Sequence, residues 1–282
     1  MITKDELLKA SSKHRLTPNV VEKDYVLGWM LAGIYANPAL RKAWVFKGGT
    51  CLKKCYFEDY RFSEDLDFTL LDEKHVDESF LAAQFADISA WVYENVGIEM
   101  PPKQFKFDVY KTPRGTISCE GKIYYKSYFS SGKRSMPYVQ LDLTAAELLV
   151  LPAVQKKMFH EYSDNPEKGV FVSAYSHEEV FGEKIRALAE RSRPRDLYDV
   201  VNLYRSERLP RPNPAAVMDV LSKKCAYKKI PVPTMESLNT RLDDLQRNWS
   251  PMLKHQLAVL PSLDDYWGAL PDFFLWLEGK GK

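Results

Sequence analysis

The chain has little of what disulfide, zinc or membrane chemistry requires. Its four cysteines are scattered over 282 residues: Cys51 and Cys55 stand one helical turn apart, Cys119 and Cys225 are isolated, and no Cys-x-x-Cys occurs. That spacing excludes a disulfide framework and predicts free thiols in a reducing compartment. The five histidines, at positions 14, 75, 160, 177 and 255, show no ligand spacing, so no zinc centre is expected. No apolar run approaches the roughly 20 residues of a membrane span. Met1-Ile2-Thr3-Lys4-Asp5-Glu6 is charged where a signal peptide would be apolar. The expectation is a cytoplasmic protein with no membrane partner.

A large excess of one charge is also missing. The net charge is +2, which argues against a surface coated for nucleic acid, although a local patch can supply the electrostatic attraction. Candidate patches are Arg191, Arg193 and Arg195; Lys223-Lys224 and Lys228-Lys229; and Lys122, Lys126, Lys133 and Arg134. With 45% hydrophobic and 28% charged residues the chain is of globular type, long enough for one large domain or two ordinary ones.

The most informative stretch runs from Phe46 to Phe68. A short apolar strand, Trp44-Val45-Phe46, breaks into Lys47-Gly48-Gly49-Thr50, and the chain returns as Arg61-Phe62-Ser63-Glu64-Asp65-Leu66-Asp67-Phe68. The glycines let a backbone approach phosphate oxygens without a Cβ clash. A helix over 50–57 would turn its N-terminal N–H groups toward the same ligand. On the returning strand, Leu66, Phe68 and Leu70 take one face, while Asp65 and Asp67 share the other about 7 Å apart. Two such carboxylates suit Mg²⁺ or Mn²⁺ that also binds a nucleoside triphosphate. The candidate phosphate-binding set is Lys47, Gly48, Gly49, Thr50, Arg61 and Ser63.

Two later constellations add to this. Val139, Leu141 and Leu143 alternate with Gln140, Asp142 and Thr144, so Asp142 is either a third metal-binding carboxylate or an ordinary solvent-facing one. Over 178–204, Lys184 falls inside the apolar face Val180, Phe181, Ile185 and Leu188, whereas Glu183, Arg186 and Glu190 fall on the polar side. Asp196 and Asp199 share an edge of the next helix. Lys184 and Asp199 form either a structural salt bridge or part of a phosphate-binding cleft.

The remaining pattern predicts helices over 4–15, 18–36 and 77–96 and strands near 66–71, 104–110, 117–129 and 137–144. Turns are expected at Thr112-Pro113-Arg114-Gly115 and around Gly132, and helices throughout after Leu148. The fold class expected is α+β, a mixed sheet flanked by helices over 1–155, followed by a helical domain over 156–282.

Together, Glu22-Lys23-Asp24-Tyr25, Phe46-Lys47-Gly48-Gly49-Thr50, Arg61 to Asp67, Glu183-Lys184-Ile185-Arg186-Ala187-Leu188 and Arg195-Asp196-Leu197-Tyr198-Asp199 resemble, in order, the AbiEii/AbiGii toxin family of nucleotidyltransferases. The resemblance covers roughly 20–205 and places the chain in the DNA polymerase beta superfamily. It implies a toxin of a bacterial toxin–antitoxin or phage-defence system. Such a toxin transfers a nucleotide from a nucleoside triphosphate to RNA, such as the tRNA acceptor end, and is paired with a separate antitoxin that regulates transcription. It assigns metal binding to Asp65 and Asp67, phosphate binding to Gly49 and Thr50 (threonine replacing serine), and essential roles in the cleft to Lys184 and Asp199. Asp142 has no assigned counterpart. Two other functions fit the same residues: modification of a small molecule or a protein hydroxyl, and nucleotide-dependent association without catalysis.

Overall fold

The computed structural model describes residues 1–112, 115–130, 136–145 and 147–280. The residues between Thr112 and Gly115, Gly132, and the basic candidates Lys133 and Arg134 lie outside the described residues. The chain divides into two units, Met1–Glu147 with Ala153–Ala174, and Leu148–Pro152 with Tyr175–Lys282.

The first unit carries helices α1 (Lys4–His14) and α2 (Pro18–Ala36), strand β1 (Trp44–Lys47), a short α3 (Gly48–Cys51) and strand β2 (Asp65–Leu70). There follow α4 (Glu78–Val96), β3 (Lys106–Lys111), β4 (Ile117–Tyr124), β5 (Tyr138–Ala145), β6 (Val154–Lys157) and β7 (Phe171–Ala174). The seven strands form one mixed sheet in the order β3-β4-β5-β2-β1-β7-β6. β2 runs antiparallel to β1 and parallel to β5, and the β3-β4-β5 edge is antiparallel.

The period-2 alternation decides the two faces of this sheet. Phe46, Phe68, Leu66, Leu141, Leu143, Cys119 and Phe107 are buried on one side. Ring contacts continue that core, with Trp44 to Phe85 of α4 at 6.1 Å between centroids and Phe85 to Phe107 at 5.6 Å. On the opposite side the same strands present Asp65, Asp67, Gln140, Asp142, Glu120 and Lys122. β5 shows the pattern most clearly, its residues alternating half-buried and buried along its whole length. In α2, Val21, Tyr25, Trp29 and Ala32 are buried as their spacing predicts, and Pro18 stands at the first turn after Thr17.

Three expectations require correction. The helix expected over 50–57 begins earlier, at Gly48; it is α-helical only to Cys51 and then widens into a π-helical turn, Leu52–Tyr56. Such a short helix contributes little dipole to its N-terminus. The fourth strand ends at Tyr124 rather than near 129. The stretch after Leu148 is not wholly helical: β6 and β7 come from it and extend the sheet beyond β1. These four-residue strands alternate in burial but not in residue type, Phe171 being exposed and Ala174 buried, so no apolar alternation marks them in the sequence.

The second unit is helical: α5 (His177–Arg191), α6 (Pro194–Arg205), α7 (Pro214–Lys228), α8 (Met235–Asn239), α9 (Leu242–Leu253), α10 (Leu263–Trp267) and α11 (Leu270–Leu277). The Ser176 hydroxyl caps α5 by accepting from the Glu179 N–H. Gly182 allows α5 to approach α7 closely, since a Cβ there would stand 2.5 Å from Val220. The C-terminal aromatics form the core: Phe181 stacks on Trp276 at 5.4 Å, and Tyr198 on Tyr266 at 5.2 Å. Among the described residues no helix is long and apolar enough to cross a membrane.

Candidate active site

Register brings the acidic residues together. Asp67 stands opposite Lys47 on β1 and opposite Asp142 on β5, and Asp142 stands opposite Glu120 on β4, which faces Asp108 on β3. Directly opposed residues point to the same side of a sheet. Lys47, Asp67, Asp142, Glu120 and Asp108 therefore form one cross-strand row on the polar face. Asp65 belongs to the neighbouring row, opposite Gln140, Lys122 and Lys106. The Gln140 side-chain amide donates to Asp142 Oδ1 at 3.3 Å.

Like charges this close should repel, and Asp142 shows it. Burial first, then Asp67, push its carboxyl up to about 6; the Gln140 hydrogen bond opposes them, and Asp65 and Glu120 add smaller upward effects. At the other end of the row Lys47 is ion-paired with Glu147, which also accepts the Thr69 hydroxyl at 3.0 Å. Glu147 carries no signal in the sequence, because it follows β5 outside any periodic element.

The glycine turn lies against these carboxylates. Gly48 has φ +82°, and a Cβ there would come within 2.0 Å of Asp67 Oδ2, so only glycine allows the carboxylate to sit where it does. A Cβ on Gly49 would meet the Arg61 guanidinium at 2.6 Å and the Ser63 hydroxyl at 3.2 Å. Gly49, Arg61 and Ser63 thus converge, with a buried guanidinium and hydroxyl over a bare stretch of backbone. Thr50 is fully buried and its hydroxyl donates to the Asp65 backbone carbonyl, tying the turn to the start of β2.

The donor set suits a hard divalent cation. Asp65, Asp67 and Asp142 offer oxygen ligands on one face, and the burial and carboxylate repulsion that raise Asp142 are what a cation offsets. Among the described residues no group of three or more His, Cys, Asp or Glu side chains forms a ready cage. Mg²⁺ does not require one, because it takes one or two carboxylates and completes its shell with water and phosphate oxygens.

Lys184 and Asp199 belong to the second unit, where they meet each other: Lys184 Nζ lies 2.7 Å from Asp199 Oδ2, and both side chains are buried. The same helices bury further charges. Lys224 pairs with Glu179 at 2.7 Å and Glu183 at 3.3 Å, and Arg186 pairs with Glu183 and Glu190. Arg186 and Lys224 are buried, which corrects their placement on a solvated face and in a basic patch. Arg186 draws its acids, Glu183 and Glu190, from its own helix, while α5 supplies Glu179 and Glu183 to Lys224 of α7. Arg191, from another candidate patch, holds Asp196 with two bonds of 2.8 and 2.9 Å.

Residues 29–277 match the family described as nucleotidyl transferase AbiEii toxin of type IV toxin–antitoxin systems. The chain belongs to the AbiEii nucleotidyltransferase toxin family. Among solved structures it is similar to MenT4, the nucleotidyltransferase toxin Rv2826c of Mycobacterium tuberculosis H37Rv. The TM-score is 0.67 at 17% identity, over 99% of this chain and 90% of that one. That likeness shows the same fold, the mixed sheet with flanking helices. No curated protein sequence matches the chain. Membership makes the protein a nucleotidyltransferase and the toxin of a type IV system, with a nucleoside triphosphate as substrate and an antitoxin as its counterpart.

Proposed function

We propose that this AbiEii-family toxin is a Mg²⁺-dependent nucleotidyltransferase that moves a nucleoside monophosphate from a nucleoside triphosphate onto an RNA hydroxyl, at the acceptor end of tRNA. One observation carries the reading: Asp65, Asp67 and Asp142 share a sheet face beside the turn where Gly48, Gly49, Arg61 and Ser63 converge. An acid row next to a cationic, Cβ-free cradle suits a metal-bound polyphosphate and has no simple structural purpose.

In this reading Asp65, Asp67 and Asp142 hold the metal, Mg²⁺ or Mn²⁺. When bound, the metal neutralises triphosphate charge and that developing on the entering oxygen. Gly48 and Gly49 admit the β- and γ-phosphates to the backbone, Arg61 pairs with their oxygens, and the Ser63 hydroxyl donates to them. Lys47 adds positive charge at the end of the acid row. Thr50 acts through the backbone, holding the cradle against Asp65. The acceptor oxygen bonds to the α-phosphorus as the bond to the β-bridging oxygen breaks, and pyrophosphate leaves. The hydroxyl proton passes to an Asp142 carboxylate oxygen that the metal leaves free. The family resemblance gives Lys184 a charge-neutralising role, for which Asp199 orients its ammonium.

The test is transfer of label from each α-labelled nucleoside triphosphate to total tRNA in Mg²⁺, with Asp65→Asn as control. Label on tRNA that disappears in the control supports the reading. Pyrophosphate release only with another acceptor overturns the RNA assignment. A second reading has a specific observation behind it: Glu120 and Asp108 extend the acid row toward the sheet edge, which suits a polycationic small molecule such as an aminoglycoside. The same assay with that acceptor distinguishes the two.

A further inference from the structure

One end of the polar face carries aromatic rings instead of carboxylates. Tyr138 at the start of β5 stands opposite Tyr124 at the end of β4, their ring centroids 5.4 Å apart. Tyr138 has the same strand parity as Gln140 and Asp142, so it shares the face of the acid row. Gln140 is the register partner of Asp65, which places Tyr138 two residues, about 7 Å, from the acid cluster. Two ammonium groups approach its ring, Lys23 at 5.7 Å and Lys122 at 5.6 Å from the centroid. Lys23 is also held by Glu64, the residue before Asp65, at 3.1 Å.

Tyr138 lines a pocket of about 410 Å³ together with Phe129, Met136, Tyr125 and Lys23. Glu22, also in its wall, is engaged by the Tyr128 N–H at 2.7 Å and by the Ser127 hydroxyl. The pocket is large enough for one nucleotide and sets aromatic rings beside the Lys23 ammonium, with the Glu22 and Glu64 carboxylates also in its wall. Sites for single-stranded nucleic acid use that pairing, rings on which bases stack and cations that follow the phosphates.

The position of the pocket selects which nucleotide it takes. The cradle of Gly48, Gly49 and Arg61 lies on the β1 side of the carboxylates; Tyr138, Tyr124 and Lys122 lie on the β5–β4 side. In phosphoryl transfer the entering and leaving oxygens are roughly in line, so a pyrophosphate leaving toward the cradle requires an acceptor entering from the opposite side.

We propose that Tyr138, with Tyr124, Lys23 and Lys122, is the acceptor-strand site: Tyr138 stacks a base at the single-stranded 3′ end of the RNA, and the two ammonium groups leave the ring to meet its phosphates. This rests on the RNA-transfer reading above and names the residues that position the acceptor.

The test is fluorescence anisotropy of a 5′-fluorescein octaribonucleotide with a free 3′-hydroxyl, titrated with the full-length protein and followed by transfer kinetics. Stacking on one ring predicts that Tyr138→Ala weakens binding about ten-fold or more. Tyr138→Phe, which keeps the ring, should bind within about two-fold of the parent. KM for RNA should rise in Tyr138→Ala while KM for the triphosphate stays constant. Unchanged RNA affinity in a folded Tyr138→Ala overturns the proposal. So does a higher KM for the triphosphate alone, which would assign the pocket to the donor base. If Tyr138→Ala does not fold, Lys23→Gln and Lys122→Gln decide: loss of about three-fold in each supports the site, and no loss in either overturns it. Ring-dependent RNA binding by a protein that moves no label onto RNA would leave the site standing and sink the transfer reading. Transfer that ignores Tyr138 would do the reverse.

Discussion

The helices of the second unit and the polar face of the first unit's sheet arrange charge in opposite ways, although the first unit also buries a matched pair, Lys54 with Asp24. In the helices of the second unit each buried cation has an acid at hand: Lys184 with Asp199, Lys224 with Glu179, Arg186 with Glu183 and Glu190. On the sheet of the first unit Asp67 and Asp142 face each other directly, and Glu120 continues the row. Matched pairs satisfy a folding chain by themselves. Opposed carboxylates work against folding and make sense only if something outside the chain neutralises them, which is why the acid row reads as a catalytic site and the paired helices do not announce one. Lys184 and Asp199 are the exception to be tested, because their family role and their structural pairing point in different directions.

The largest effect expected is on catalysis. Asp65→Asn or Asp67→Asn should lower transfer by about a thousand-fold or more while the circular dichroism spectrum is retained, since the amide keeps the size and shape of the carboxylate. Activity within ten-fold of the parent would remove the distinction between the two units.

Next in size is the buried pair. Asp199→Ala strands a buried ammonium and should cost about 3–5 kcal/mol in urea unfolding, whereas the double variant Lys184→Met/Asp199→Leu should be far closer to the parent. If the double variant is stable yet inactive, the pair serves catalysis rather than folding. A loss below about 1 kcal/mol in Asp199→Ala would mean the charges are not dry.

The acid row should show the opposite sign. The native Asp142 carboxyl titrates near 6 against an ordinary value of 3.8, so between those pH values the native state holds the extra proton and stability falls as pH rises. Asp142→Asn removes this penalty and should stabilise the protein at pH 7.5 by about 1–3 kcal/mol, an advantage that vanishes below about pH 4. A destabilised Asp142→Asn at pH 7.5 would contradict the repulsion.

Mg²⁺ should achieve a similar effect by binding. At about ten times its dissociation constant it should raise the melting temperature of the parent by an amount equivalent to about 1.4 kcal/mol. It should do much less for Asp67→Asn, so equal shifts in both would place the cation elsewhere. The smallest effect belongs to the cradle: Thr50→Val loses the bond to the Asp65 carbonyl and should cost about 1 kcal/mol, while Thr50→Ser should be close to neutral in the same melts.

Much of this was legible in the order of residues. Alternation along 138–144 and 65–70 assigned each side chain to a face, and the structure places Asp65, Asp67 and Asp142 on the polar side accordingly. The same reasoning failed where one element's environment came from another. Arg186 looks solvent-facing on a helical wheel and Lys224 reads as part of a basic patch, yet acids on its own helix bury Arg186 and acids on a facing helix bury Lys224. β6 and β7 alternate in burial, but their residue types do not follow it, with Phe171 exposed and Ala174 buried. Glu147 lies in no periodic element, and its pairing with Lys47 depends on two segments one hundred residues apart meeting in space.

The sequence by itself determined the candidate residues and how those on the strands alternate between faces, because alternation is a consequence of local backbone geometry. Only the tertiary structure decided that Asp67 meets Asp142, that Arg61 and Ser63 close over Gly49, and that Tyr138 stands beside the acid cluster. Strand register and the order of strands in a sheet are set by long-range pairing, and no local pattern encodes which distant strand arrives alongside.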